Sequence, residues 1–289
     1  MRRTVLTLAA AGALAACGGA SDTPATDTTQ AAAPAVAATP AVYTITAKDY
    51  AYEAPDTITA GMVTLRLVNQ GPELHHAQLV RIDDGKTFAD LAAGLKAMKP
   101  GSPPPPWIHD VAGPNAPVPG GEQSITQELA PGNYALICFI PSPDGTPHAM
   151  KGMVKALTVV PGAAGATAAS PAADVTVKMT DYAWEISPAL TAGKHVLKME
   201  NAAEQSHEMF IAQLAPGKTA ADLAKWTETQ QGPPPGKPIG GISGMAKGAI
   251  VYLPVDLEPG EYGLFCFLPD AKDGKPHIAH GMISQVTVK

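Results

Sequence analysis

The chain has 289 residues, enough for two cores of ordinary size, and its 28 Gly and 29 Pro with only 5% aromatic residues exclude a long-helix architecture. Its net charge of −6 at pH 7, two units more negative if Arg2 and Arg3 leave with a cleaved leader, disfavours nucleic acid and anionic membrane surfaces as partners. Beyond the N-terminal apolar run, no stretch approaches the roughly 20 apolar residues of a membrane-crossing helix.

Taken in order, residues 1–17 read as an export signal: Arg2-Arg3, an apolar run from Val5 to Ala16, then Leu14-Ala15-Ala16-Cys17. Small residues before a cysteine and a polar stretch after it match a bacterial lipoprotein signal, in which Cys17 is the lipid attachment site. The expected location is the bacterial cell envelope, periplasmic or outer-surface side, with membrane contact through the lipid alone. Residues 18–40, rich in Ala, Thr and Pro, cannot bury a core and read as a tether.

Residues 41–160 form the first expected domain. Val42–Ala47, Met62–Asn69, Leu74–Ile82, Gln123–Leu129, Asn133–Phe139 and Lys151–Val160 alternate or run apolar between Gly, Pro and Asn punctuation, as strands do. Thr87-Phe88-Ala89-Asp90 opens one short helix with a capping pair, its apolar side carrying Phe88, Leu91, Leu95 and Met98. Residues 161–173, rich in Gly and Ala, are a linker, and residues 174–289 repeat the pattern as a second domain. Asp49-Tyr50-Ala51-Tyr52-Glu53 returns as Asp181-Tyr182-Ala183-Trp184-Glu185, Asn69 as Asn201 and His75 as His207, all at one constant spacing. The fold class is therefore all-β, two tandem sandwiches or barrels with Greek-key connections, each with one short helix.

One constellation survives the duplication while the loops around it change length. Cys138, His148 and Met153 in the first copy correspond to Cys266, His277 and Met282 in the second, and each set is preceded by His75 or His207. Positions two apart on a strand share a face, so Tyr134, Leu136 and Cys138 point inward together, and His207 points with Met209 and Ile211. The same parity selects His75 and turns His76 outward. A thiolate, two imidazoles and a thioether are soft donors that suit copper, with Met as a weak axial ligand. The bland alternative, ordinary core packing, has to leave one unpaired Cys in each half of an exported protein, where structural cysteines usually pair. His280, His109 and His195 read as peripheral.

A strand His after an Asn, a Gly-x-Tyr-x-x-x-Cys strand, a loop and His-x4-Met together resemble the cupredoxins, the blue or type 1 copper proteins. The resemblance covers nearly all of 41–160 and 174–289. It implies Greek-key β-sandwiches and one copper per domain, held by His75, Cys138, His148 and Met153 and by His207, Cys266, His277 and Met282. It further implies one-electron transfer with a redox partner protein. Nine residues separate Cys138 from His148 and ten separate Cys266 from His277, longer than in the familiar electron carriers of the family. No His stands beside either Cys and no His-x-His occurs, so the oxidase and nitrite reductase ligand motifs are absent and the chain is expected not to be an enzyme. Copper handling without electron transfer, and a metal-free recognition module, remain as alternatives. Pro103-Pro104-Pro105-Pro106-Trp107 is either a rigid connection or a docking ridge.

Overall fold

Alternating burial makes the first strands. In β1 (Ala41–Lys48) Ile45 and Ala47 turn inward, and in β4 (Gly61–Asn69) Val63, Leu65, Leu67 and Asn69 do so at every second position, the period of a half-buried strand. Between them lie β2 (Ala51–Glu53) and β3 (Thr57–Thr59). The first half continues with β5 (Gln78–Ile82), α1 (Phe88–Ala97), β6 (Ile108–Asp110), β7 (Glu122–Leu129), β8 (Gly132–Ile137) and β9 (Val154–Val160). The second half holds β10 (Val175–Thr180), β11 (Ala183–Ser187), β12 (Gly193–Asn201), β13 (His207–Leu214), α2 (Ala220–Thr229), β14 (Gly236–Met245), β15 (Ile250–Leu257), β16 (Gly260–Phe265) and β17 (Ile283–Val288). This is a computed structural model, and it describes residues 38–97, 105–162, 168–229 and 231–289; Cys17, the signal and most of the tether lie outside the described residues, as do Met98, Pro103 and Pro104.

The chain is mostly β. One eight-stranded sheet, in the order β11-β10-β12-β15-β7-β4-β1-β2, takes four strands from each half and is joined across the middle by β7 and β15, where Gln127 faces Val251 and Thr126 faces Tyr252. Each half then adds a sheet of its own, β3-β9-β8-β5-β6 in the first and β14-β13-β16-β17 in the second. Inward residues of all three sheets form one continuous apolar core that includes Leu65, Leu136 and Ile125 from the first half and Leu197, Leu253 and Leu264 from the second. The described residues are accordingly one compact unit.

Each helix covers the outer face of its half's own sheet. Leu91 and Leu95 of α1 pack on Val80, Ala135 and Ile137, and Leu223 of α2 packs with Leu214 and Phe265, so β8 and β16 are buried on both faces. The expected capping pairs start both helices: the Asp90 N–H donates to Thr87 Oγ1 while the Asp90 carboxylate accepts the Thr87 N–H, and Thr219 and Asp222 repeat the arrangement.

Three expected strands are shorter than their patterns: Asn133–Phe139 ends at Ile137, so Cys138 lies just beyond β8, and two others begin late. Residues 74–77 do not join the sheet; the Ala77 N–H donates to Pro114 O and pairing begins only at Gln78, so His75 sits on the connection between β4 and β5. Lys151 belongs to a 3-10 turn (His148–Lys151) closed by Gly152 at φ 105°, and β9 starts at Val154.

Candidate metal centres

Each long Cys-to-His loop folds back on itself. In the first half Pro141 and Pro147 form a bridge, the Gly145 N–H donates to Ser142 O, and the Asp144 carboxylate accepts the Thr146 N–H. The His148 N–H then donates to Ile140 O and the Ala149 N–H to Cys138 O, which returns the imidazole to the end of β8. Pro269 and Pro276 close the second loop likewise, with His277 N–H on Leu268 O and Ile278 N–H on Cys266 O. The 3-10 turn after each His brings the Met back: the Met153 N–H donates to His148 O while Met153 O accepts the Cys138 N–H, and Met282, His277 and Cys266 repeat both bonds. The loop length set apart in the sequence is thus taken up in a closed tongue.

These backbones bring together His75, Cys138 and His148 in one group and His207, Cys266 and His277 in the other, with one donor atom from each residue within 4.8 Å of the others. All six side chains are completely buried, as are Met153 and Met282. The Nδ1 atoms of His75 and His148 stand 3.0 Å apart, and Cys138 Sγ lies 3.4 Å from His148 Nδ1. In the second group the two Nδ1 atoms are 3.1 Å apart, and Cys266 Sγ is 3.2 Å from His277 Nδ1 and 3.9 Å from His207 Nδ1. His76, selected against by parity, stays out of the group. It is nevertheless buried, and the outward position expected for it is corrected: its Nε2 accepts the Phe139 N–H at 2.9 Å, and its ring meets the Phe139 ring edge-on.

The outer nitrogens explain why the inner ones converge. His75 Nε2 is bonded to the Asp49 carboxylate and His148 Nε2 to the Glu73 carboxylate at 2.8 Å. Asp181 takes His207 Nε2 at 3.0 Å, and Gln205 Oε1 takes His277 Nε2 at 3.1 Å, the amide being oriented by the Ala271 N–H on the same oxygen. An acceptor at Nε2 places the ring proton there, assigned from this hydrogen bonding, and leaves an Nδ1 lone pair facing inward. Sequence reasoning missed these four partners as site residues. The signal was present, since Asp49 and Asp181 lie in the repeated pentapeptide and Glu73 and Gln205 each stand two residues before a ligand His.

Electrostatics prepare the same state. Burial pushes the Cys138 thiol up to about 12 and the Cys266 thiol higher still, so both carry protons when no metal is bound. Burial also lowers His75 and His207 and brings His277 down to about 4, so these imidazoles are neutral at pH 7. Two imidazoles with Nδ1 lone pairs facing inward, a thiol that yields its proton to a metal and a buried Met held by the same turn fit a soft one-electron metal. Ligand atoms 3–4 Å apart are also what a single ion with bonds of about 2.0–2.3 Å gathers around itself. The donor set fits copper.

Besides Glu73 standing against Gln205, the two centres differ at the position after the first ligand His. Where the first has His76, the second has Glu208, whose carboxylate accepts the Phe267 N–H at 2.8 Å and is pushed up to about 7 by burial. The remaining histidines are peripheral: His109 pairs with Asp83, His195 with Asp174 and His280 with Asp273.

In each half, strands of the common sheet and of that half's own sheet, with His, Cys and His converging at strand ends, make the fold cupredoxin-like. No family model matches the chain, and no curated protein does. Solved structures do. Reduced auracyanin from the photosynthetic bacterium Roseiflexus castenholzii is 22% identical and covers 43% of this chain and 100% of its own, with a TM-score of 0.30. A blue copper oxidase from Nitrosomonas europaea, 13% identical, covers 86% of this chain and 85% of its own at a TM-score of 0.23. A copper nitrite reductase from Nitrosomonas europaea, 14% identical, covers 87% and 94% at 0.26. The expectation that the chain is not an enzyme is corrected here: structures matching along most of its length, these two among them, are enzymes, and missing His-x-His pairs do not exclude catalysis. At these identities and TM-scores the likeness assigns no activity.

Proposed function

We propose that the chain is an exported, lipid-anchored copper protein built as two tandem Greek-key sandwiches, with one type 1-like copper centre in each and a role in one-electron transfer with a redox partner protein. The observation that carries this reading is the pair of Nδ1 lone pairs facing one another at 3.0 and 3.1 Å beside a cysteine sulfur, their ring protons committed elsewhere. Copper bound there would supply one-electron chemistry, alternating between Cu(I) and Cu(II). Asp49, Glu73, Asp181 and Gln205 fix the orientation of the rings, and complete burial of the donors keeps bulk water from them. Residues Leu14–Cys17 support the anchor.

The test is titration of the chain lacking residues 1–17 with Cu(II), followed by visible absorption, metal analysis and voltammetry. Two equivalents, an intense thiolate-to-copper band and a reversible one-electron wave are expected, with Cys138→Ser and Cys266→Ser each removing one equivalent. Uptake without a reversible wave would favour copper handling, and no uptake would leave a recognition module.

A further inference from the structure

The longer middle loop of the first half does not end in its own half. Residues 111–117 run beside β14, with bridges from Val111 to Met245, Pro114 to Ile242 and Pro117 to Ile239. The Ala112 N–H donates to Gly244 O, the Ser243 N–H to Gly113 O and the Asn115 N–H to Gly241 O. Glycines let each side of the junction sit tightly on its own half: a Cβ on Gly113 would lie 1.8 Å from Ala77 O, and one on Gly241 1.9 Å from Met209 O. Asn115 is carried by this loop to Glu208, next to a ligand of the second centre. It is 3% exposed and Glu208 is 5% exposed.

We propose that Asn115, a residue of the first half, is a positioning residue of the second metal centre and acts through Glu208. Asn115 Nδ2 donates to Glu208 Oε2 at 3.2 Å and to Ile242 O at 3.0 Å, while its Oδ1 accepts the Ala116 N–H at 2.8 Å. Both amide hydrogens and the oxygen are therefore engaged in fixing one geometry. The Glu208 carboxylate, held on one oxygen, uses the other to accept the Phe267 N–H, and the Glu208 N–H donates to Cys266 Sγ at 3.4 Å. Glu208 thus grips the Cys266 strand both at the sulfur and one residue beyond it, and Asn115 sets the grip. In the first centre the matching grip on Phe139 comes from the neutral ring of His76. An amide donor from across the junction is what a carboxylate in that place needs, because a buried acceptor left without a donor is costly.

The inference rests on the reading of His207, Cys266 and His277 as one centre, but its test does not require copper. In the metal-free chain carrying Cys138→Ser and lacking residues 1–17, Cys266 is the single thiol, and its alkylation rate reports how tightly it is held. Asn115→Ala is expected to raise that rate about ten-fold, in keeping with loss of a buried hydrogen bond to a charged or polar group. Glu208→Gln, which turns an amide N–H toward Asn115, should do the same, and the double variant should be no faster than either alone. In the Cys266→Ser background the alkylation of Cys138 should not respond to Asn115→Ala. Once copper is added, the visible band of the second centre should shift in Asn115→Ala while that of the first stays in place. Equal acceleration of both thiols would mean general loosening and would overturn the proposal, as would an unchanged Cys266 or additive effects of the two substitutions. If Asn115→Ala does not fold, Glu208→Gln carries the same comparison. Failure of copper uptake alone would remove the metal reading and leave the thiol result standing.

Discussion

Replacing Asp181 by Ala removes the acceptor of the His207 ring proton and frees the imidazole to turn or change tautomer. Second-sphere partners of this kind are worth about 10–100-fold in metal affinity, so Asp181→Ala should weaken the second centre by that factor in a chelator competition, with the first centre as internal reference. Equal affinity would show that burial alone holds the ring. Strand parity, read on β13 at His207 and carried to the first half by the constant spacing of the repeat, prefers His75 to His76, although His75 itself lies on a connection. It cannot reach Asp49, Glu73 or Gln205, which sit in turns and connections where no period applies. A different residue reports on pH. The Asp174 side chain beside His195 raises the imidazole above its ordinary range, so its stabilising effect is complete below the unfolded His value near 6.5 and fades as pH rises through the folded value. His195→Ala should lower the melting temperature more at pH 5.5 than at pH 9, by a difference equivalent to about 0.5 kcal/mol for so exposed a partner. An equal loss at both pH values would assign the effect to packing instead.

Among the elements, the 3-10 turn between each ligand His and its Met depends on a glycine in the left-handed region, Gly152 at φ 105° and Gly281 at φ 92°. A Cβ there meets no neighbour within 4 Å, so the cost of substitution is one of backbone conformation. Gly281→Ala should destabilise the chain by about 1–2 kcal/mol, read as a lower urea midpoint at unchanged slope. A midpoint equal to that of the parent would show that the turn can relax without moving Met282. The helix starts were legible because a Thr and an Asp three apart announce them. Strand β14 was not, since Gly236-Lys237-Pro238-Ile239-Gly240-Gly241 carries little alternation and owes its pairing to β13 on one side and the 111–117 loop on the other.

At the scale of the whole molecule, the internal repeat was plain in the sequence, whereas the pairing of β7 with β15 was not, because nothing in either strand marks its outer edge as destined for a partner. With one core and one sheet common to both halves, residues 41–289 should unfold in a single transition whose calorimetric and van't Hoff enthalpies agree. Two resolved transitions would show that the junction is too weak to couple them. The common sheet also decides what can happen to either half alone. An unpaired strand edge is a template for adding any other extended chain, and here β7 and β15 meet through two residue pairs, which leaves β2 and β11, of three and five residues, as the outer rims of the common sheet. Each half thus shields the edge of the other, and a half cut free would carry the exposed edge as a tendency to aggregate.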